Sequence, residues 1–274
     1  MNFRGYGEKF RLIREQKGLP LSFFAKCNVD KADLSRFERG QSMMSFEKVD
    51  VMLQTMNVSL AEYELVINNF VPDFQEEFLF EIDEADFSQD EKKLRSLYQE
   101  AKESGYGYLS LAAKARFEQL SQTEIMVVVQ FLKKVKVWGY FELSVAFFVL
   151  DNLDTETIRD LMVDFEQKNK NYYGIFRYRR RILQIAYRAI VLLCSRGEQD
   201  LAKDILDLTE KRNRAGIDLY LDNVRQMALG FYDYYFGDKK SGLALIQKGL
   251  NVFEFLGQER LKNFYRIRNE HFLK

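Results

Sequence analysis

The 274-residue chain carries 41 basic and 41 acidic side chains, and a formal net charge of zero excludes a protein coated in basic charge for indiscriminate nucleic-acid binding. Apolar types make up 47% of it and only two residues are proline, so a core can be built and long helices are seldom broken. The only histidine, His271, and two distant cysteines, Cys27 and Cys194, form no Ser/His/Asp or Cys/His arrangement and no metal-ligand spacing; with no Walker-type glycine loop either, neither an enzyme nor a cofactor is expected. The cysteines, in apolar company, read as reduced thiols of a cytosolic protein. Met1 to Phe10 is charged and has no apolar run, so no signal peptide is expected, and no window approaches the ~20 uncharged apolar residues of a membrane span.

In chain order, Tyr6 to Lys17 sets Phe10 and Ile13 at helical spacing with Leu12 beside them, and Gly18 ends the run. Leu21, Phe24 and Ala25 predict a second short helix, Cys27-Asn28-Val29-Asp30 a connector, and Asp30 an N-cap for a third helix. In that helix Leu34 and Phe37 face a core, Lys31, Ser35, Arg36 and Arg39 face outward, and Gly40 supplies the favoured residue just past its end. Phe46 to Met56 and Leu60 to Phe70 repeat the helical pattern. Two short helices joined by a tight turn, the second basic on its outer side, describe a helix-turn-helix whose second helix enters a major groove. A modest basic surplus sits where a duplex would dock: Arg4, Lys9, Arg11, Arg14, Lys17, Lys26, Lys31, Arg36 and Arg39 outnumber Glu8, Glu15, Asp30, Asp33 and Glu38.

From Gly7 to about Phe70 the chain resembles the lambda-repressor-like, or XRE-type, DNA-binding domain, through Arg14, Lys17-Gly18, Ala25, Leu34-Ser35 and Glu38-Arg39-Gly40. The resemblance implies that Arg14 pairs with Glu38 and that base-reading positions fall on Lys31, Ala32 and Arg36. The chemistry agrees: lysine and arginine donate to guanine O6 and N7, and an alanine methyl touches a thymine methyl. Two positions depart from the family pattern. Pro20-Leu21 stands where many relatives cap the second helix with a polar residue, and Asp33 would repel phosphate unless it accepts from a cytosine amino group or pairs with Lys31 or Arg36.

Pro72 is expected to stop the head, taken as residues 1–70, and the acidic residues Glu76, Glu77, Glu81, Asp83, Glu84, Asp86 and Asp90 mark 71–91 as a solvated linker. From Lys92 onward helix patterns run on between short turns at Ser104-Gly105-Tyr106-Gly107, Asn152-Leu153-Asp154, Asn169-Lys170-Asn171, Ser195-Arg196-Gly197 and Phe236-Gly237-Asp238. The pattern of small residues around Gly197 returns forty positions later around Gly237, as in tetratricopeptide-type helical hairpins. The fold expected is therefore all-α, a head followed by a tetratricopeptide-like repeat domain over 92–274. The helix predicted from Ile175 to Cys194 has Arg177, Arg181, Gln184 and Arg188 as a polar stripe, either a solvated face or the lining of a groove for an extended peptide. Tyr187 and Asn223 are its expected neighbours. Phe253, Phe255, Leu256, Phe264 and Phe272 are candidates for a dimer surface.

Val137-Trp138-Gly139-Tyr140-Phe141-Glu142-Leu143, and the block from Leu229-Gly230-Phe231 to Phe255-Leu256-Gly257, are similar to the corresponding segments of the Rgg/GadR/MutR regulators of low-GC Gram-positive bacteria. That resemblance implies a cytoplasmic homodimer whose repeat domain binds a short signalling peptide and whose head binds promoter DNA. A helical-repeat interaction scaffold and a ligand-independent DNA-binding regulator are the alternatives.

Overall fold

The computed structural model describes residues 4–71, 73–212 and 218–273, and every regular element among them is a helix. The protein is all-α. Its chain divides into two compact units, residues 1–77 and 78–274.

The first unit holds α1 (Arg4–Gln16), a 3-10 segment (Leu21–Cys27), α2 (Lys31–Glu38), α3 (Phe46–Thr55) and α4 (Leu60–Ile67). Gly18, with φ of +67°, ends the first turn of connection after α1, as its lack of a Cβ allows. The second helix of the expected motif is not an α-helix. Pro20 brings no side-chain cap, and Asn28 closes the segment in the left-handed region after only seven residues, so the tighter 3-10 form wins. Asp30 does cap α2, accepting from the amides of Ala32 at 2.7 Å and Asp33 at 3.3 Å. Phe10 is the hub of the core, its ring 5.6 Å from Phe24, 5.8 Å from Phe37 and 6.4 Å from Tyr63. Burying it is worth about 1.5–3 kcal/mol. Gly7 lets α1 cross the end of α2, since a Cβ there would sit 1.8 Å from the Phe37 carbonyl oxygen. Helix α4 is shorter than its periodicity suggests: Asn69 and Phe70 both take positive φ, and Phe70 points into solvent with Phe46.

The expected linker over 71–91 is a correction. Pro72 lies outside the described residues, but most of the acidic stretch beyond it is helix α5 (Phe74–Phe87), with Phe78, Leu79, Ile82, Ala85 and even Asp86 buried. Apolar residues at helical spacing override the acidic composition, because each carboxylate on the inner side has an arginine to meet. The two-unit division falls inside this helix, between Glu77 and Phe78.

The second unit continues with α6 (Glu91–Glu103), α7 (Gly107–Lys114), α8 (Gln122–Lys134), α9 (Tyr140–Val149), α10 (Thr155–Asn169), α11 (Phe176–Ser195), α12 (Gln199–Arg212), α13 (Leu219–Phe236), α14 (Lys239–Phe255) and α15 (Glu259–Glu270). The turn expected at 169–171 is instead a helix end running into a 3-10 segment, Lys170–Gly174. Both repeat hairpins form. Ala189 and Ala202 are fully buried where α11 meets α12, and α13 and α14 approach so closely that a Cβ on Gly242 would lie 2.5 Å from the Gly230 carbonyl oxygen and 2.4 Å from the Tyr234 nitrogen. The Trp-Gly motif before α9 has a local cause: buried Trp138 donates to the Leu132 carbonyl at 2.9 Å, and the Glu142 carboxylate accepts from the Gly139 amide at 2.7 Å. Of the candidate dimer residues, Phe253 and Phe264 belong to the core of the unit, while Phe255 and Leu256 are exposed.

Five charged side chains join distant helices of this unit. Asp86 of α5 accepts from Arg116 at 2.8 Å and Arg268 of α15 at 3.1 Å, and Asp151, after α9, accepts from Arg188 of α11 at 2.7 Å and from Arg268. Every one of these charges has a partner, but three guanidiniums around two carboxylates leave one positive charge in excess, and burial together with neighbouring Arg116 lowers the Arg188 pKa to about 9.

Candidate nucleic-acid interface and ligand cleft

On the head, Lys31, Ala32 and Arg36 are exposed on α2, Arg39 is exposed at its C-cap, and Ser35 is half-buried. Arg36 and Asp33 form an ion pair three residues apart, one of the outcomes open to Asp33. Arg39 donates from Nε to the Ser35 carbonyl at 3.2 Å. Behind this face, buried Arg14 and Glu38 form two parallel hydrogen bonds, Nε to Oε1 at 2.6 Å and Nη2 to Oε2 at 2.7 Å, while Arg14 Nη1 donates to the Leu19 carbonyl at 2.7 Å. Helix α1, the chain after it and the end of α2 are thus held at one guanidinium. The Glu38 hydrogen bond raises the Arg14 pKa, so the guanidinium keeps its charge.

In the second unit a cleft of about 480 Å³ opens beside the first half of α11. Arg177, Arg180, Arg181 and Gln184 of α11 line it together with Asp83, Glu84, Phe80 and Phe87 of α5, Tyr140, Tyr220, and Arg260 and Leu261 of α15. The rings hold the cations. The Arg177 guanidinium lies 3.7 Å from the Tyr140 ring centroid, and that of Arg180 lies 4.7 Å from Tyr220 while its Nε is 3.4 Å from Asp218. Gln184 donates to the Tyr220 hydroxyl at 3.0 Å, and Tyr220 shares a 2.7 Å hydrogen bond with Tyr265.

The polar stripe therefore divides. Arg177, Arg181 and Gln184 reach the cleft, whereas Arg188 is committed to Asp151 and to the Asn269 side chain at 3.1 Å. With Gln184 and Tyr187 it lines a separate cavity of about 30 Å³, room for roughly two waters. Tyr187 is 1% exposed and its hydroxyl has no hydrogen-bond partner among the described residues; burial pushes its pKa up. Asn223 is spoken for as well, donating to the Gly249 carbonyl at 2.9 Å in the α13–α14 contact. Sequence reasoning missed Asp83, Tyr140, Arg180, Tyr220 and Arg260. Asp83 was hidden by the acidic composition around it, and Arg180 sits one residue off the i, i+4, i+7 stripe.

Among the described residues no helix is long and apolar enough to cross a membrane, and no cluster of His, Cys, Asp and Glu could hold a metal ion.

A helix-turn-helix head ahead of a unit of stacked helical hairpins defines a class of two-part, all-α regulators. The model of the C-terminal domain of the HTH-type transcriptional regulator Rgg matches residues 88–267, and the chain belongs to that family. Solved structures share the fold over nearly its whole length. The SHP pheromone receptor Rgg2 of Streptococcus dysgalactiae is 21% identical, with 97% of this chain and 98% of that one covered and a TM-score of 0.76. A protein of Listeria monocytogenes EGD-e described as a transcriptional regulator is 15% identical, covering 98% and 97% with a TM-score of 0.79. PrgX in complex with cCF10 is 12% identical, covering 98% and 100% with a TM-score of 0.70.

Proposed function

We propose that this Rgg-family regulator is a cytoplasmic homodimer that binds promoter DNA through α2 and a short signalling peptide in the cleft beside α11. The observation that carries the peptide reading is the cleft itself: aromatic walls for apolar side chains, and fixed guanidiniums for backbone carbonyls or a carboxylate. One relative of the same fold is named a pheromone receptor, and another was solved with cCF10 bound. For DNA, Lys31, Ala32, Ser35, Arg36 and Arg39 supply a compact outward face, and pairing of two heads would supply the area that a single one lacks. In the second unit Arg177, Arg181 and Gln184 are the expected peptide contacts. Arg188, Tyr187 and Asn223, already engaged or enclosed, would act from behind the site.

Two titrations test this. Salt-dependent binding to a promoter duplex, weakened by about 1–3 kcal/mol in Arg36→Ala, is expected of the head. Calorimetric titration of short synthetic peptides is expected to give binding that Arg181→Ala weakens by about ten-fold, the worth of one charge-assisted hydrogen bond. Binding to neither partner would leave a repeat scaffold as the better description.

A further inference from the structure

Resting on that peptide reading, a deeper one concerns how the cleft reports its occupancy. Arg181 is 3% exposed, and three rings fix its guanidinium, Phe147 at 4.6 Å, Phe148 at 5.4 Å and Tyr140 at 5.6 Å. Its Nη1 and Nη2 donate to the two oxygens of Asp83, and Nη2 also reaches the Tyr140 hydroxyl at 3.3 Å. Nε has no hydrogen-bond partner among the described residues, so a buried donor is left over at the cleft wall. The two partners differ in what holds them. Arg181 cannot leave, whereas Asp83 is 18% exposed, lines the cleft, and can turn its carboxylate to water.

A buried guanidinium must keep a counter-charge, and the least costly way to change its partner is to exchange one carboxylate for another. We propose that a carboxylate of the bound peptide takes the place of Asp83 on Arg181, so that the cleft selects acidic ligands and hands the signal to α5. The helix receiving it is well placed. Asp83, Glu84 and Asp86 fall within four positions of α5 and bind Arg181, Arg260 and the Arg116–Arg268 pair, so α5 is held by charges as well as by its buried Phe78, Leu79, Ile82 and Ala85. Arg260 also donates to Ser88 just past the helix. The same helix continues without a break to Phe74, within the first unit. A ligand that frees Asp83 therefore acts on α5 itself, the helix in which the division between the two units falls.

The test uses the full-length chain and N-acetylated peptides of Leu, Ile, Phe and Gly, each made with a C-terminal carboxylate and with a carboxamide. The acid forms are expected to bind about ten-fold more tightly than the amides. Hydrogen exchange between Ile82 and Phe87 is expected to quicken with the acids only. Asp83→Asn, which removes the competing charge, is expected to bind the acids about ten-fold more tightly again. Should this variant fold poorly, the acid and amide pair on the wild-type chain carries the test alone. Equal affinity of acids and amides, or α5 exchange that the acids leave unchanged, overturns the exchange while the peptide reading stands. No binding of either form overturns both.

Discussion

Arg14 and Glu38 meet through two parallel hydrogen bonds of 2.6 and 2.7 Å across twenty-four positions of chain, both side chains nearly enclosed. The geometry is that of a fork on a fork, which a lysine cannot reproduce. Removing one partner strands the other in the head core, so Glu38→Ala is expected to destabilise the head by about 3–5 kcal/mol. The double variant Arg14→Met with Glu38→Leu, which removes both charges, is expected to recover most of that loss. Thermal unfolding followed by circular dichroism decides it; single variants that melt with the wild type would show that the pair only decorates the fold.

Arg36 starts from an ion pair with Asp33. On the DNA-binding reading proposed above, Arg36 must leave that partner to reach a base edge, and Asp33 is expected to act as a brake. Asp33→Asn is expected to tighten binding to cognate and random duplex alike, since a repelling charge is lost from both. Arg36→Ala is expected to cost about 1–3 kcal/mol on the cognate site and little on random DNA. Anisotropy titrations at several salt concentrations separate the two effects; equal losses on both duplexes for Arg36→Ala would mean a phosphate contact.

Two glycines at helical positions are expected to behave in opposite ways. A Cβ on Gly242 would meet backbone atoms of Gly230 and Tyr234, which cannot swing aside, whereas one on Gly107 would meet nothing within 4 Å. Gly242→Ala is therefore expected to destabilise the second unit by about 1–3 kcal/mol, and Gly107→Ala to stabilise it by about 0.5–1 kcal/mol. Denaturant midpoints of the two variants check the sign of each.

Cys194 is fully buried and its thiol is pushed up to about 12, while Cys27 is only half-buried. At pH 8 roughly one Cys194 in ten thousand would be thiolate, the reactive form. A thiol reagent is expected to label Cys27 in the native chain and both residues only after unfolding. The folded state keeps a proton that the unfolded state releases above its ordinary pKa of about 8.5, so this group's contribution to stability is full below that pH and falls as pH rises toward 12. Rapid native labelling of Cys194 would show that the core around α11 opens readily.

The helices of the head were legible because short amphipathic periods, an aspartate cap and a glycine stop are local signals. The 3-10 form of residues 21–27 was less so, since its cause is the absence of a cap at Pro20. The hairpins at Gly197 and Gly237 could be seen because close helix contact requires small residues at fixed spacing. What the sequence hid was partnership between distant charges. Asp83 and Asp86 look like solvated acids until Arg181, Arg116 and Arg268 are brought beside them, and Arg181 and Arg188 look alike until one is found at the cleft and the other tied to Asp151. Periodicity says which side of a helix a residue occupies and says nothing about which residue waits there.

The bond between Asp86 and Arg268 spans 182 positions, joining the helix that opens the second unit to the one that completes it. During synthesis Asp86 must wait for almost all the rest of its unit before this arginine exists. Hairpins such as α13–α14 can close as they emerge, but the Arg268 contacts of α5 form only after α15 has been made, so the unit is expected to pass through a stage that is hairpin-rich and still open. A chain arrested before Arg268 would leave Asp86 and Asp151 each short of one guanidinium partner and α5 less firmly held.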